Sequence, residues 1–266
     1  MKNILLGAAV GYETEKIRRF VLSFRKHNNA DDVYLLIHNN INDDTALFLK
    51  NNNIKHILYD NYDKYKTRKN TINNNRYIYY LNFLKENKYD NIILSDTRDV
   101  VFQLNPFKTL PNEGFIYFFE EDLNVGEEPC NKNWINLCFG ESYYKNIENK
   151  KIICSGITIG SYDLILEYLR RMVDEISYLE PNISATTVVD QAVHIRIGYD
   201  DKTPLKHLKI IPNGNGLVGT IGLTLEVNSN YIELKNNLLY LQNIIPSIIH
   251  QYDRDSKLTV FFDENI

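Results

Sequence analysis

The chain has 266 residues, of which 44% are hydrophobic and 24% are charged. This mixture is typical of a globular protein with room for one large α/β domain, and it argues against a disordered chain. Thirty basic residues stand against 34 acidic ones, so we expect no nucleic-acid partner. The three scattered cysteines, Cys130, Cys138 and Cys154, do not form a disulfide framework or a zinc-binding Cys-x-x-Cys pair.

No segment has the pattern of an export signal or a membrane span. The apolar run at residues 4–10 is followed by Gly11 without a small-residue cleavage site. The longest apolar stretch, residues 238–249, is interrupted by Gln242, Asn243 and Pro246. We therefore expect no transmembrane segment and a cytoplasmic location.

Strand and helix patterns alternate through the first hundred residues. Short apolar runs predict strands at residues 4–10, 33–38, 54–59 and 91–95. Helical spacing predicts a helix after Thr14 and further helices at residues 43–50 and 75–86. Such alternation predicts parallel strands joined by right-handed crossovers in a doubly wound sheet.

The second half of the chain is less regular. Its clearest element is a predicted helix at residues 162–179, and a helix-like run covers residues 192–197. Strands are predicted at residues 114–120, 152–160, 208–212, 231–234, 239–242 and 248–251. Residues 214–219 fit the spacing G-x-G-x-x-G, but β-branched residues follow, so we expect a loop without a helix. Since there is no linker and no repeat, we predict a single domain over residues 1–266.

Two carboxylates and an arginine follow the fourth predicted strand, in the run Asp96-Thr97-Arg98-Asp99. Ligands bind at the carboxyl ends of strands in open α/β sheets. Two carboxylates about 4 Å apart repel by roughly 4 kcal/mol at an effective dielectric near 20, so the pair favours a cation such as Mn²⁺ or Mg²⁺. The alternative is a structural turn capped by Asp96, with Arg98 paired to Asp99.

Several motifs together resemble one enzyme family. They are the helix at residues 76–81, the run at residues 94–103 with Pro106-Phe107, the run at residues 154–157, Asp190-Gln191, and residues 250–254. In this order they resemble the GT-A glycosyltransferases, in the branch of bacterial and viral enzymes that build polysaccharides. The resemblance implies a GT-A-type, Rossmann-like three-layer sandwich with a mostly parallel central sheet, helices on both faces and a smaller mixed C-terminal part.

The resemblance also implies an activity. A nucleotide-diphosphate sugar, with a UDP-sugar favoured, would donate its sugar to a glycan acceptor with the help of Mn²⁺ or Mg²⁺. Residues 1–110 would form the nucleotide-binding half and residues 111–266 the acceptor half. Asp96 would contact the ribose and Asp99 the metal, or the two would exchange or share these roles, and His250 would complete the metal shell. The alternative for His250 is a structural role, as a partly buried histidine that is hydrogen-bonded to a backbone carbonyl.

The chain departs from the family pattern at one position. The usual aspartates stand at i and i+2, whereas Asp96 and Asp99 are three apart and Arg98 occupies the i+2 place. Both carboxylates converge only if the chain bends after Asp96. Otherwise Arg98 would neutralise phosphate without a metal.

Two carboxylates are candidates for the catalytic base. The resemblance places Asp190 beside the sugar together with Gln191, and an Asp favoured by a helix N-terminus is the alternative. Glu120 ends a predicted strand within the acidic run at residues 120–122, although such runs are often solvated. Arg254 would serve the departing diphosphate or form a surface ion pair.

The remaining candidates would bind the nucleotide sugar. Residues 9–12, in the first strand-to-helix turn, and Asp60, after the third strand, are expected to contact the base or ribose of the nucleotide. Any tight turn between a strand and a helix has a similar composition. Ser155-Gly156 would line the sugar pocket, and a glycine needed only for a bend is equally compatible. The full set is Ala9, Val10, Gly11, Tyr12, Asp60, Arg76, Asp96, Thr97, Arg98, Ser155, Gly156, Gln191 and Arg254.

Three other functions remain open. A phosphohydrolase of the Asp-x-Asp type needs a second aspartate where Arg98 stands. A sugar nucleotidyltransferase would be expected to carry a Gly- and Lys/Arg-rich first loop, which residues 7–15 lack. A non-catalytic nucleotide- or glycan-binding module would bind nucleotides without regard to metal.

Overall fold

Four parallel strands form the first part of the central sheet, in a computed structural model that describes residues 1–60, 72–110, 114–179 and 189–266. The strands are β1 (Asn3–Ala8), β2 (Asp32–His38), β3 (Lys55–Tyr59) and β4 (Asn91–Ser95), paired in the order β3-β2-β1-β4. Between them run α1 (Thr14–His27), α2 (Asp43–Asn51) and α3 (Ile72–Glu86). The predicted alternation of parallel strands and helices is confirmed here.

The two faces of this sheet bury different helices. On one face Leu5 and Ile93 pack with Phe20 of α1 and Leu49 of α2. On the other face Ile4, Leu6, Ile92 and Leu94 pack with side chains of α3 and of later helices. Because adjacent strand residues point to opposite faces, a strand covered on both sides is apolar at nearly every position. This explains the unbroken apolar runs of β1 and β4.

The second part of the sheet is mixed, which corrects the expectation of a mostly parallel sheet. It contains β6 (Ile116–Asn124), β7 (Lys151–Ile153), β8 (Ile157–Ser161) and β9 (Leu208–Ile211), which bring the described strands of the sheet to eight. β8 lies antiparallel to both β4 and β6, β7 lies antiparallel to β6, and β9 is parallel to β6.

The connection after β6 causes this reversal. The connecting segment starts and finishes at the same end of β6, where the amide of Val125 donates to the carbonyl of Lys150 at 2.9 Å. The chain therefore runs back along β6 instead of crossing over the sheet. The strand predicted at residues 152–160 is divided into β7 and β8, because residues 154–156 turn out of the ladder between them.

A small second sheet lies beside the carboxyl end of β4. Its strands β5 (Val100–Phe102), β10 (Val218–Thr220) and β13 (Ile248–His250) pair in the order β10-β13-β5, and β5 is antiparallel to β13. A hairpin of β11 (Ile232–Lys235) and β12 (Leu238–Leu241) packs nearby. The Gln103 side chain fixes the hairpin by donating to the carbonyl of Leu239 at 2.9 Å and accepting from its amide at 2.6 Å.

The structure describes five α-helices in the second half. They are α4 (Pro129–Ile147), α5 (Tyr162–Leu179), α6 (Val189–Gly198), α7 (Gly222–Val227) and α8 (Ser256–Asn265). The prediction for α5 is confirmed, whereas α4 and α8 were not predicted. The prediction that no helix follows residues 214–219 is wrong, because α7 begins at Gly222. No helix in the described part of the chain is long and apolar enough to cross a membrane.

Candidate functional site

The site is built where β4 ends and the small sheet begins. The amide of Asp96 donates to the carbonyl of Gly156 at 2.7 Å, and Thr97 Oγ1 donates to the carbonyl of Ala8 at 2.7 Å. The chain then turns, and β5 begins at Val100. Antiparallel pairing of β5 with β13 places His250 opposite Val100. The chain therefore bends after Asp96, as the convergence of the two aspartates requires.

Asp96, Asp99 and His250 come together at this bend. One potential ligand atom from each side chain lies within 4.8 Å of the other two. His250 Nε2 is 3.6 Å from Asp96 Oδ2 and 3.8 Å from Asp99 Oδ1. A Cβ at Gly156 would lie 2.8 Å from His250 Nε2 and 2.9 Å from Asp96 Oδ2. Only glycine therefore allows the backbone to approach the group so closely.

Charge repulsion and burial act on this cluster. Burial and the neighbouring Asp96 raise the pKa of Asp99, although His250 opposes them. Burial also disfavours the charged form of Asp96, but Arg76 and His250 outweigh it and lower the pKa of Asp96. Burial disfavours the charged imidazole, yet Asp99 and Asp96 raise the pKa of His250. The pKa values of the two aspartates shift in opposite directions because Arg76 pairs with Asp96, whereas burial is the largest influence on the pKa of Asp99.

Arg76 joins this cluster to a third carboxylate. Its side chain is buried, forms an ion pair with Asp96 through Nη1, and places Nη2 3.0 Å from Asp190 Oδ2. The same Nη2 also donates to Tyr77 Oη at 3.1 Å. The sequence placed Arg76 among residues that bind the nucleotide sugar, whereas the structure pairs its guanidinium with two carboxylates of the protein.

Asp190 lies in the first turn of α6 and is only 2% exposed. Burial raises the pKa of its carboxyl group, and Arg76 opposes this shift. Oδ2 is paired with Arg76, whereas buried Oδ1 has no hydrogen-bond partner among the described residues. A buried carboxylate oxygen without a donor is costly, so this atom is suited to receive a proton or hydrogen bond from a bound molecule.

Gln191 supports the turn between β7 and β8. Its Oε1 accepts from the amide of Ser155 at 2.9 Å, and its Nε2 donates to the carbonyl of Ile153 at 2.9 Å. Nε2 also donates to Asn131 Oδ1 at 3.2 Å. Gln191 thus holds Ser155 and Gly156 against the cluster and ties α6 to the start of α4.

Two adjoining cavities meet at these residues. The larger, about 420 Å³, is lined by ten of the predicted residues: Arg76, Asp96, Arg98, Asp99, Ser155, Gly156, Asp190, Gln191, His250 and Arg254. The smaller, about 180 Å³, extends to the first strand-to-helix turn and is lined by Val10, Tyr12 and Thr97, and again by Arg76, Asp96, Arg98 and Asp99. Most of the predicted site residues therefore share one continuous surface.

Within the described part of the chain, four predicted residues line neither cavity. Ala9 is buried with the apolar residues of α1, and Gly11 adopts a φ of 76° at the surface of the turn. Asp60 accepts a hydrogen bond from the Tyr79 hydroxyl at 2.6 Å. Glu120 belongs to β6, and the next residue, Glu121, lines the larger cavity in its place. Strand alternation explains this exchange, since adjacent side chains point to opposite faces.

The larger cavity has a buried part and an exposed part. We call Arg76, Asp96, Asp99, Asp190 and His250 the inner cluster, and Trp134, Leu223, Glu226 and Arg254 the outer rim; both sets line the cavity. Trp134 and Leu223 are half-buried, whereas Glu226 and Arg254 are exposed. Of the rim, the sequence indicated only Arg254, because α4 and α7 were not predicted. The sequence could have indicated Trp134 as a site residue only if the helix α4 had been predicted.

Arg98 stands between the two cavities. Its Nε is 3.1 Å from Asp253 Oδ2 and its Nη2 is 3.5 Å from Asp99 Oδ2. Nearly half of the side chain is exposed. The ion pair expected for a structural turn is therefore present together with the convergence of Asp96, Asp99 and His250, and Arg98 also lines both cavities.

The residues at the bend fit a divalent cation. Two carboxylates and an imidazole are ligands that suit Mn²⁺, and the carboxylates also suit Mg²⁺. Cys154 Sγ lies 3.7 Å from His250 Nδ1, so Nε2 is the ring nitrogen that faces both aspartates.

No protein-family model matches this chain, and no curated protein matches it.

Proposed function

We propose that the protein is a GT-A-type glycosyltransferase that moves a sugar from a nucleotide-diphosphate sugar to a hydroxyl group of a glycan, with a divalent cation held by Asp96, Asp99 and His250. The observation that carries the proposal is the convergence of these three side chains within 4.8 Å. They lie at the carboxyl end of a parallel strand, which is where ligands bind in open α/β sheets. A cytoplasmic location and the absence of a nucleic-acid partner remain predictions from the sequence.

The two cavities suit the two parts of such a donor. The smaller one, with Val10 and Tyr12 from the turn after β1, would hold the nucleoside. The diphosphate would lie at the junction, where Arg98 supplies positive charge. The sugar would then extend into the larger cavity beside Ser155 and Gly156, where the glycine leaves room for a close approach.

The charges of the site suit departure of a diphosphate. A divalent cation held by Asp96, Asp99 and His250 would supply Lewis-acid stabilisation of the negative charge that develops on the leaving group. Arg98 and the exposed Arg254 add positive charge at the cavity. In a reaction that inverts the anomeric centre, Asp190 Oδ1 takes the proton of the acceptor hydroxyl. Two observations support this role: burial raises the pKa of this carboxyl group, and Oδ1 accepts no hydrogen bond from a described residue.

A thermal-shift panel tests the proposal against the alternatives. UDP-, GDP-, CMP- and dTDP-sugars are each added with and without Mn²⁺. A true donor at one hundred times its dissociation constant stabilises the protein by about 2.7 kcal/mol, and we expect this shift only when Mn²⁺ is present. A shift that is indifferent to Mn²⁺, without cleavage of the donor over hours, would indicate a binding module instead.

A phosphatase assay with Mg²⁺ tests the phosphohydrolase alternative. Hydrolysis of a phosphate monoester would support a phosphohydrolase. We expect none, because Arg98 occupies the place of the required second aspartate and is paired with Asp99 and Asp253.

A further inference from the structure

The outer rim carries the single tryptophan of the chain. Trp134 lies in the second turn of α4, is half-buried, and lines the larger cavity beside Leu223 of α7. An aromatic ring with an apolar neighbour offers a flat surface on which a molecule with a nonpolar face can stack. The pyranose ring of a sugar has such a face.

A second observation connects Trp134 to the buried carboxylate of the inner cluster. Asn131 stands one helical turn before Trp134, on the same side of α4, and its Oδ1 accepts from Gln191 Nε2 at 3.2 Å. Gln191 is the neighbour of Asp190, which lines the cavity and whose buried Oδ1 has no hydrogen-bond partner in the described ranges. The hydrogen bond between Asn131 and Gln191 therefore links the helical turn before Trp134 to the residue next to Asp190.

Carboxylates outnumber cationic side chains among the residues that line the larger cavity outside the inner cluster. Glu121, Glu128 and Glu226 line it together with Arg98 and Arg254. The carboxylate of Glu128 also accepts from the amides of Cys130 and Asn131 at the start of α4. Carboxylates accept hydrogen bonds from hydroxyl and ammonium groups but repel another carboxylate.

We propose that the outer rim is the acceptor subsite, and that it takes a neutral or amino-substituted sugar and excludes a uronic acid. The acceptor ring stacks on Trp134, and the hydroxyl that attacks points inward to Asp190 Oδ1. The C–O bond to the donor diphosphate breaks as the acceptor oxygen bonds to the anomeric carbon, and the hydroxyl proton passes to Asp190. This inference rests on the proposed glycosyl transfer.

The fluorescence of Trp134 reports directly on this subsite, because the chain has no other tryptophan. Three β-1,4-linked trisaccharides with the same backbone serve as probes: the glucose trimer, the glucosamine trimer and the glucuronic acid trimer. Each is titrated into the intact protein with and without Mn²⁺ and UDP. We expect a saturable change with the glucose or glucosamine trimer, and binding of the glucuronic acid trimer that is weaker by at least roughly tenfold.

A charge-reversal variant tests the reason for the selectivity. Glu226→Lys changes an exposed side chain of the rim, and we expect it to reduce the discrimination against the glucuronic acid trimer at least threefold. The Trp134→Phe variant keeps an aromatic ring and serves as the background for the fluorescence signal.

Two outcomes would overturn the acceptor assignment. One is a glucuronic acid trimer that binds the native protein as tightly as the glucose trimer. The other is the absence of a fluorescence change with all three probes. If the nucleotide panel still shows a shift that depends on Mn²⁺, only the acceptor assignment fails. If trisaccharides bind while no nucleotide does, the proposed donor chemistry fails.

Discussion

The inner cluster and the outer rim share one cavity but differ in how their charges are satisfied. In the inner cluster, Arg76 is paired with Asp96 and Asp190, and His250 faces both Asp96 and Asp99. In the rim, exposed Arg254 and Glu226 form no ion pair with a described residue. The inner cluster is thus part of the folded core, whereas the charged residues of the rim, Glu226 and Arg254, are exposed. Substitutions in the two regions are expected to have different consequences.

The largest difference is expected between two arginines. Arg76→Met leaves the carboxylates of Asp96 and Asp190 without their buried partner, and breaking a buried pair costs about 3–5 kcal/mol. Arg254→Met in the rim is expected to change the free energy of unfolding by no more than about 0.5 kcal/mol. Denaturant unfolding of both variants measures the difference. Equal stabilities would show that the inner cluster is not part of the core.

The next effect concerns Asp99. Asp99→Asn is expected to abolish the stabilisation by Mn²⁺ and to lower turnover by roughly 10² or more, which corresponds to losing about 3–4 kcal/mol of barrier stabilisation. The metal-free protein is not expected to lose stability, because burial and Asp96 already raise the pKa of this carboxyl group.

Asp253→Asn is the matched control for Asp99, since Asp253 also contacts Arg98 but lies outside the inner cluster. It is expected to keep the response to Mn²⁺. Turnover of Asp99→Asn within a fewfold of the native protein would remove Asp99 from the mechanism.

A single methyl group at Gly156 tests how tightly the inner cluster is packed. Gly156→Ala places Cβ against the His250 ring and Asp96, so we expect a loss of about 1–3 kcal/mol together with weaker binding of Mn²⁺. Ser155→Ala, at the next position, removes one hydroxyl and adds no atom, and it is expected to leave the Mn²⁺ response intact. Matching responses in both variants would contradict the close approach at Gly156.

The smallest effect involves His194 on α6, behind Asp190. Burial, with a smaller contribution from Arg76, lowers the pKa of this imidazole to about 3. Between pH 6.5 and 3 the unfolded chain binds a proton that the folded protein does not, so stability falls as the pH decreases. The loss at pH 5.5, relative to neutral pH or above, is about 1.4 kcal/mol.

His194→Gln is the reference for this measurement, because its amide can replace the contact between Nδ1 and Tyr168 Oη at 2.9 Å. The comparison is needed because the pKa of His250 is raised and changes stability in the opposite direction. Unfolding free energies of the native protein and the variant, measured from pH 7.5 to 5.5, are expected to diverge. Parallel curves would show that His194 is protonated in the folded protein.

The sequence predicts the first half of the fold better than the second. In β1 and β4 burial on both faces leaves a continuous apolar run, and α5 carries a clear apolar stripe, so local pattern and tertiary packing agree. In α4 the helix is interrupted at Gly140, whose φ is 80°, and few of its residues are buried. No periodic apolar stripe was therefore present to indicate it.

The candidate site shows the same division. The sequence predicts the strand that ends just before Asp96, and with it the place where the carboxylates gather. The pairing of Arg76 with Asp96 and Asp190 depends on contacts between residues 20 and 114 positions apart, which local sequence patterns do not contain. Within the acidic run at residues 120–122, Glu121 lines the larger cavity and Glu120 does not, because a shift of one residue on a strand changes the face.

The most direct test of the account is anomalous diffraction at the manganese absorption edge from crystals grown with Mn²⁺ and the nucleotide that gives the largest thermal shift. We expect one strong peak within bonding distance of Asp99, Asp96 and His250 Nε2, with the diphosphate on its open side next to Arg98. The same peak should be missing in Asp99→Asn. A bound nucleotide without a peak at this position, or an unchanged peak in the variant, would contradict the claim that these side chains hold a cation for sugar transfer.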